Sequence, residues 1–228
     1  MKAVSFDFGQ TLAELDTAML AGRLAEIGAG QVTAAELDAG VAPAVRAYSD
    51  AIQAGHGGHP WKLFMSHLLS GAGIGAHTAR AVDFLWDQQP ARNLWRRPVP
   101  GMIELVRELR AARVPLAVIS NSEGFLAELA QELGWLELFD AFADSGKLGI
   151  EKPGRAIFEW TAARLGVAPA DIVHIGDAWA ADIEGALGAG LRPIWFGDHA
   201  AVSDPRVRLC RDAAAVRATL REWGLLAG

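Results

Sequence analysis

Apolar runs of strand length alternate with stretches of helical period at the start of the chain and through its second half. Ala3 to Phe8 is rich in Val and Phe and leads to an Asp and a Gly. Pro115 to Ser120 (PLAVIS), Asp171 to Ile175 (DIVHI) and Arg192 to Phe196 (RPIWF) repeat the pattern, each apolar run delivering polar residues at its carboxyl end. Met102–Ala112, Phe125–Leu133, Ala156–Leu165 and Ala181–Ala189 carry helical spacing between and after them. Alternation of this kind predicts an α/β fold, a parallel-sheet, Rossmann-like core covered by helices on both faces. In such sheets ligands sit beyond the carboxyl ends of the strands.

The pattern changes after the first strand. From about residue 14 to about 98 no strand is legible, and four helical stretches occupy 16–28, 33–54, 61–72 and 77–89. Thr33-Ala34-Ala35-Glu36 reads as a capping box opening the second of them, and glycines at Gly28–Gly30, Gly55–Gly58 and Gly71–Gly75 punctuate the bundle. The predicted organisation is a core at 1–13 and 99–228 with an all-helical insertion at 14–98. The length of 228 residues agrees, being roughly one and a half domains of about 150 residues.

Composition narrows the function classes. At 51% hydrophobic and 21% charged residues the chain buries enough apolar surface to fold. Its one cysteine, Cys210, excludes a disulfide framework and a Cys-rich zinc site, and is expected in the core. A net charge of -6 argues against nucleic acid or an anionic membrane as main partner. No run of 18 apolar residues is present, and the start MKAVSFDFG has no secretory h-region, so the expected location is the cytoplasm.

Four positions, three at strand ends and one before a helix, carry candidate chemistry. Asp7, at the tip of the first strand, suits a nucleophile, a metal ligand or a helix cap. Ser120-Asn121 offers a hydroxyl followed by backbone N–H groups before a helix, suited to phosphate or to capping. Lys152-Pro153 opens the next helix, with the proline fit for its first turn. Gly176-Asp177 and then Asp182 place two acids after a buried strand, a metal candidate.

Taken in order, these residues resemble the motifs of the haloacid dehalogenase-like hydrolase superfamily. VPGMIELVRELRAARVPLAVISNS, KPGRAIFEW and HIGDAWAADIEGALGAGL look like its second, third and fourth motifs, and the insertion looks like its type 1 cap. The resemblance implies a phosphatase of a small phosphorylated metabolite in which Asp7 becomes an aspartyl-phosphate. It further implies that Ser120 and the Asn121 N–H hold the phosphoryl oxygens, that Lys152 neutralises charge, and that Asp7, the Gly9 carbonyl and Asp177 bind Mg²⁺, supported by Asp182.

One position departs from the family pattern. The acid usually found two residues after the nucleophile, which protonates the leaving group and later activates water, is Gly9 here. General acid–base groups contribute about 10²- to 10⁴-fold, so restoring one by Gly9→Asp is expected to favour alkyl phosphates. Gln10 is no proton donor at neutral pH, whereas Glu14, His56, His59 and His67 are possible substitutes. The alternatives are a 2-haloacid dehalogenase, disfavoured by Asp177; a phosphonate hydrolase, which needs a cap lysine where only Lys62 stands; and a catalytically impaired phospho-ligand or partner binder. Trp61, Trp86 and Trp95 fall in or near the insertion as pocket or packing residues, and Trp179 is expected near the site.

Overall fold

The computed structural model describes residues 1–53 and 60–227. The expected residues Gly55, His56, Gly57, Gly58 and His59 lie outside these. Eight strands are found among the described residues: β1 (Ala3–Phe6), β2 (Ala13–Leu15), β3 (Trp95–Pro98), β4 (Leu116–Ser120), β5 (Ala141–Asp144), β6 (Ile172–Gly176), β7 (Arg192–Phe196) and β8 (Arg208–Cys210).

Two-residue periodicity explains the central layer. Val4 and Phe6 of β1 enter one buried apolar cluster and Ala3 enters another, on the opposite face. Parallel pairing sets Val4 against Leu116 and Val173, and Phe6 against Val118 and Ile175, so residues in register feed the same layer. The full sheet is parallel in the order β5-β4-β1-β6-β7-β8. The chain builds outward from β1 to β5, then returns to the other side of β1 at β6. Its strand order therefore reverses at β1 and β6, and in open parallel sheets ligands bind beyond the carboxyl ends of the strands at such a point.

Helices cover both faces. Helices α5 (Met102–Ala111), α6 (Leu126–Glu132) and α10 (Ala213–Glu222) contribute to the cluster on the Val4 face. Helices α8 (Arg155–Leu165) and α9 (Gly185–Ala189) contribute to the other, and α7 (Ser145–Leu148) is a single turn after β5. A second unit, Asp16–Leu94, contains α1 (Thr17–Glu26), α2 (Ala34–Gln53), α3 (Pro60–Gly71) and α4 (Thr78–Gln88). In it the Glu36 N–H donates to Thr33 Oγ1 at 3.2 Å and the Thr33 N–H to Glu36 Oε2 at 2.8 Å, the reciprocal pair of a capping box.

Several expectations are corrected. The first unit comprises Met1–Leu15 and Trp95–Gly228, because β2 and β3 form an antiparallel ribbon within the stretch expected to lack strands. Short elements give no readable alternation, and this ribbon gains a 3.0 Å ion pair between Arg97 and Glu14. Trp95 therefore belongs to the sheet-containing unit. β5 and β8 were likewise too short to be legible. The segment expected to be one helix from Ala181 is a π-helical turn, Trp179–Glu184, followed by α9. Pro153 precedes the N-cap Gly154 of α8 and follows a cis Lys152–Pro153 bond, so it lies outside the first turn.

At Gly185 a Cβ would lie 2.8 Å from Phe158 Cε2 and 3.1 Å from Pro153 Cα. Overpacking costs about 1–3 kcal/mol, which outweighs the helix propensity of about 1 kcal/mol that alanine adds. Gly185→Ala is expected to lower stability by about 1 kcal/mol in urea denaturation; an unchanged midpoint would show that this helix layer yields freely.

Candidate active site

Asp7 continues directly from β1, and its N–H donates to Ile175 O at 2.8 Å, which ties the start of the loop to β6. Its side chain meets a buried ammonium. Lys152 Nζ donates to Asp7 Oδ1 at 2.5 Å, to Asp182 Oδ1 at 2.7 Å and to Ile119 O at 2.9 Å. An ammonium has three N–H donors, and here each has an acceptor. Asp182 is equally well used: Oδ1 also meets His174 Nε2 at 3.2 Å, and Oδ2 accepts from the Ala178 N–H at 3.0 Å. A carboxylate only accepts, so the assigned tautomer of His174 carries its proton on Nε2. His174 Nδ1 then accepts from Ser5 Oγ at 2.9 Å.

Alternation within the strands accounts for this polar chain. Ser5 and His174 are paired in register between β1 and β6, on the face opposite Phe6 and Ile175. Gly176 leaves room for Asp182, whose carboxyl group a Cβ there would overlap. The carboxamide of Asn121 fixes Lys152 from outside: Asn121 Nδ2 donates to Lys152 O and Lys152 N to Asn121 Oδ1, both at 2.8 Å.

The electrostatics are unbalanced. Ligand atoms of Asp7, Asp177 and Asp182 lie within 4.8 Å of one another, with Lys152 the cation bonded to two of them. Burial raises the Asp7 pKa to about 6, against the pull of Lys152, and the charge of Asp182 adds to the rise. Asp177 is pushed well up by burial and by the charges of Asp7 and Asp182. Burial opposes ionisation of Asp182 too, but Lys152 and His174 outweigh it and hold its carboxyl below the usual range. Burial also opposes the Lys152 charge, yet Asp182 and Asp7 hold that amine above its ordinary value. Burial lowers His174 and keeps it neutral. Oxygen donors carrying excess negative charge suit a hard divalent cation such as Mg²⁺.

The profile of the haloacid dehalogenase-like hydrolases matches residues 1–190. The chain belongs to that family. The chain is 40% identical over 122 residues to human N-acylneuraminate-9-phosphatase, covering 52% of this chain and 48% of that protein. Over 104 residues it is 28% identical to an Escherichia coli pyrimidine 5'-nucleotidase, 45% of this chain and 46% of the other. The chain thus spans about half the length of the curated relatives it matches. Among solved structures, a Bacillus subtilis hydrolase of the family bound to magnesium superposes with a TM-score of 0.71 at 18% identity, over 96% of this chain and 98% of that one. A Deinococcus radiodurans family member with bound phosphate and sodium gives 0.67 at 24%, over 100% and 98%.

The fold brings Asp7, Lys152, Asp177 and Asp182 together. Ser120 is buried at the end of β4 beside β1, and Asn121 follows it, but α6 begins only at Leu126 with Phe125 at its N-cap, so neither caps a helix. Of the substitutes for an acid at position 9, Glu14 is paired with Arg97, and His67 is exposed on α3. Lys62 is bonded to Asp83 at 2.8 Å and lies over the Trp86 ring, which packs on Trp61. Trp179 packs edge-on against Trp195, whose Nε1 donates to Asp177 O at 2.8 Å. Cys210 is buried, 3.4 Å from Thr219 Oγ1.

Sequence reasoning missed His174, Trp195 and Asp144. A histidine inside an otherwise apolar strand was the visible sign of the first. Asp144, at the end of β5, accepts from Ser122 Oγ, Gly146 N and Leu126 N at 2.8, 3.0 and 2.9 Å and so organises the loop after Asn121.

Two substitutions separate the roles of the acids in metal-free protein. Asp182→Asn strips Lys152 of a charged partner and is expected to cost about 3–5 kcal/mol, the cost of breaking a buried pair. Asp177→Asn removes a carboxylate that burial and like charges disfavour, so it is expected to stabilise. Urea denaturation with chelator checks both; equal destabilisation would contradict the charge assignment.

Proposed function

We propose that this hydrolase is a Mg²⁺-dependent phosphatase of a small phosphorylated metabolite, acting through an aspartyl-phosphate on Asp7, with Asp16–Leu94 as its type 1 cap. The observation that carries the reading is the meeting of Asp7, Asp177 and Asp182 with the buried ammonium of Lys152. The phosphatase names of relatives, human N-acylneuraminate-9-phosphatase among them, support it, as do the magnesium and phosphate held by the two structural neighbours.

Asp7, Asp177 and the Gly9 carbonyl would hold the cation, with Asp182 behind them because its oxygens already serve Lys152, His174 and Ala178. Bound there, Mg²⁺ would supply Lewis-acid neutralisation of phosphate charge. Lys152 offsets the charge of Asp7 so that a phosphate dianion approaches it. The Ser120 hydroxyl and Asn121 N–H receive the phosphoryl oxygens. Asp7 attacks phosphorus, the bond to the leaving oxygen breaks with its electron pair going to that oxygen, and water then hydrolyses the acyl phosphate. The clustering of Asp177 with Asp7 sets this reading above dehalogenation, which needs no metal.

Phosphate release from a panel of metabolites is expected with Mg²⁺, and is expected to vanish with chelator or in Asp7→Asn. Release that survives both would overturn the reading. Because Asp7 is protonated below about pH 6 and a cation must displace that proton, Mg²⁺ affinity is expected to fall as pH drops through 6. Each competing proton gives about tenfold per pH unit, and Asp177, also pushed up by burial, adds a second to that of Asp7, so a fall of at least about tenfold per unit below pH 6 is expected by calorimetry; a flat profile from pH 7 to 5 would contradict it.

A further inference from the structure

Gly9 is glycine for a reason of space. Its φ is not among the positive ones, so its backbone conformation does not demand glycine; the next residue, Gln10, is the one at φ 57. A Cβ on Gly9 would instead meet the indole of Trp95, 3.1 Å from Nε1 and 3.2 Å from Cδ1. Trp95 opens β3, which pairs with β2 just beyond the Asp7 loop, and its ring packs against the core cluster on the Val4 face. The Asp7 loop is pinned as well, by Leu12 N and Ala13 N to Phe8 O at 2.9 Å and Gln10 N to Ala13 O at 2.8 Å. A Cβ at position 9 requires this indole to give by a few tenths of an ångström, and the packing of the ring against the core cluster resists that movement.

We propose that Trp95 is a specificity-determining residue: by occupying the space of a side chain at position 9 it confines the site to phosphates whose leaving group departs without a proton, acyl phosphates above all. This rests on the phosphatase reading. When Asp7 attacks an acyl phosphate, the P–O electron pair passes to a carboxylate, which is stable as an anion. The same step on an alkyl ester yields an alkoxide that must be protonated, and position 9 has nothing to give. With no side-chain base at position 9 to activate water, the aspartyl-phosphate breaks down at a rate common to all substrates. Selection therefore appears in kcat/KM, which reports the first step, while kcat converges.

Gly9→Asp would restore an acid at position 9. On its own that change drives a carboxylate against Trp95, so gain of alkyl phosphatase activity requires Gly9→Asp with Trp95→Ala. The test measures kcat/KM for acetyl phosphate and glycerol 3-phosphate in the wild-type protein, both single variants and the double variant. Relative to Trp95→Ala, the double variant is expected to gain about 10²-fold on glycerol 3-phosphate and less than about threefold on acetyl phosphate, with no such gain from Gly9→Asp alone. A single variant matching the double, or equal gains on both substrates, would overturn the proposal. So would wild-type turnover of glycerol 3-phosphate as efficient as that of acetyl phosphate. Thermal melts of Gly9→Ala, made in the wild-type protein and in the Trp95→Ala variant, decide the steric premise without any assay. A drop of about 5 °C is expected where the indole is present and none where Trp95→Ala has removed it, and equal drops would refute the premise. If the melts behave as expected while no protein releases phosphate from either compound, the phosphatase reading is what fails, together with the selectivity built on it.

Discussion

The ammonium of Lys152 is the constraint on which the rest of the site depends. It reaches Asp7 across 145 positions of sequence, Asp182 across 30 and the Ile119 carbonyl across 33, and so joins the ends of β1 and β4 to the turn that follows β6. Burying such an ion is unfavourable unless all its donors are matched, and a buried ion pair adds little net stability over an apolar packing of the same volume. Its presence is better explained by what it holds than by what it stabilises. One ammonium faces the three carboxyl groups of Asp7, Asp177 and Asp182, so their ionised forms exceed it in charge, and that excess is what a divalent cation would satisfy.

The two faces of the sheet divide the work. One is apolar throughout its central strands, with Val4, Phe6, Val118 and Ile175 in a single cluster. The other carries Ser5 and His174 among its apolar residues, and these support Asp182 from beneath. Trp195 plays a comparable part at the end of β7, where its indole fixes the Asp177 carbonyl and stacks on His199 with centroids 3.8 Å apart. None of these residues needs to touch a substrate to matter, because the geometry of the acids is set by what lies behind them.

The strands that carry the site were legible because they are buried on both faces and read as unbroken apolar runs, each delivering its polar residues at the carboxyl end. The helices of the second unit were legible from period and from the Thr33–Glu36 box. The β2–β3 ribbon was not, since three or four residues such as Ala-Glu-Leu and Trp-Arg-Arg-Pro carry no alternation; nor was the π-helical turn at Trp179, where helical spacing alone reads as regular helix. Among candidate site residues, Asp7 and Asp177 announced themselves by position at strand ends, Asp182 by its spacing from Asp177, and Lys152 by its place before a helix. His174 did not, because its role depends on a partner, Ser5, supplied by parallel pairing. Position 9 shows the limit most clearly: in sequence it is an absent acid, whereas in three dimensions a Cβ there would lie 3.1 Å from the indole of Trp95, a residue that sequence spacing had assigned to the neighbourhood of the insertion.

The central claim is that Asp7 itself receives the phosphoryl group, and trapping tests it most directly. The protein is incubated with Mg²⁺ and acetyl phosphate, quenched in acid, digested, and the peptides weighed. A phosphoryl adduct on the peptide containing Asp7, absent in Asp7→Asn, is the result expected. Phosphate release without an adduct, or an adduct on a different residue, would contradict the account.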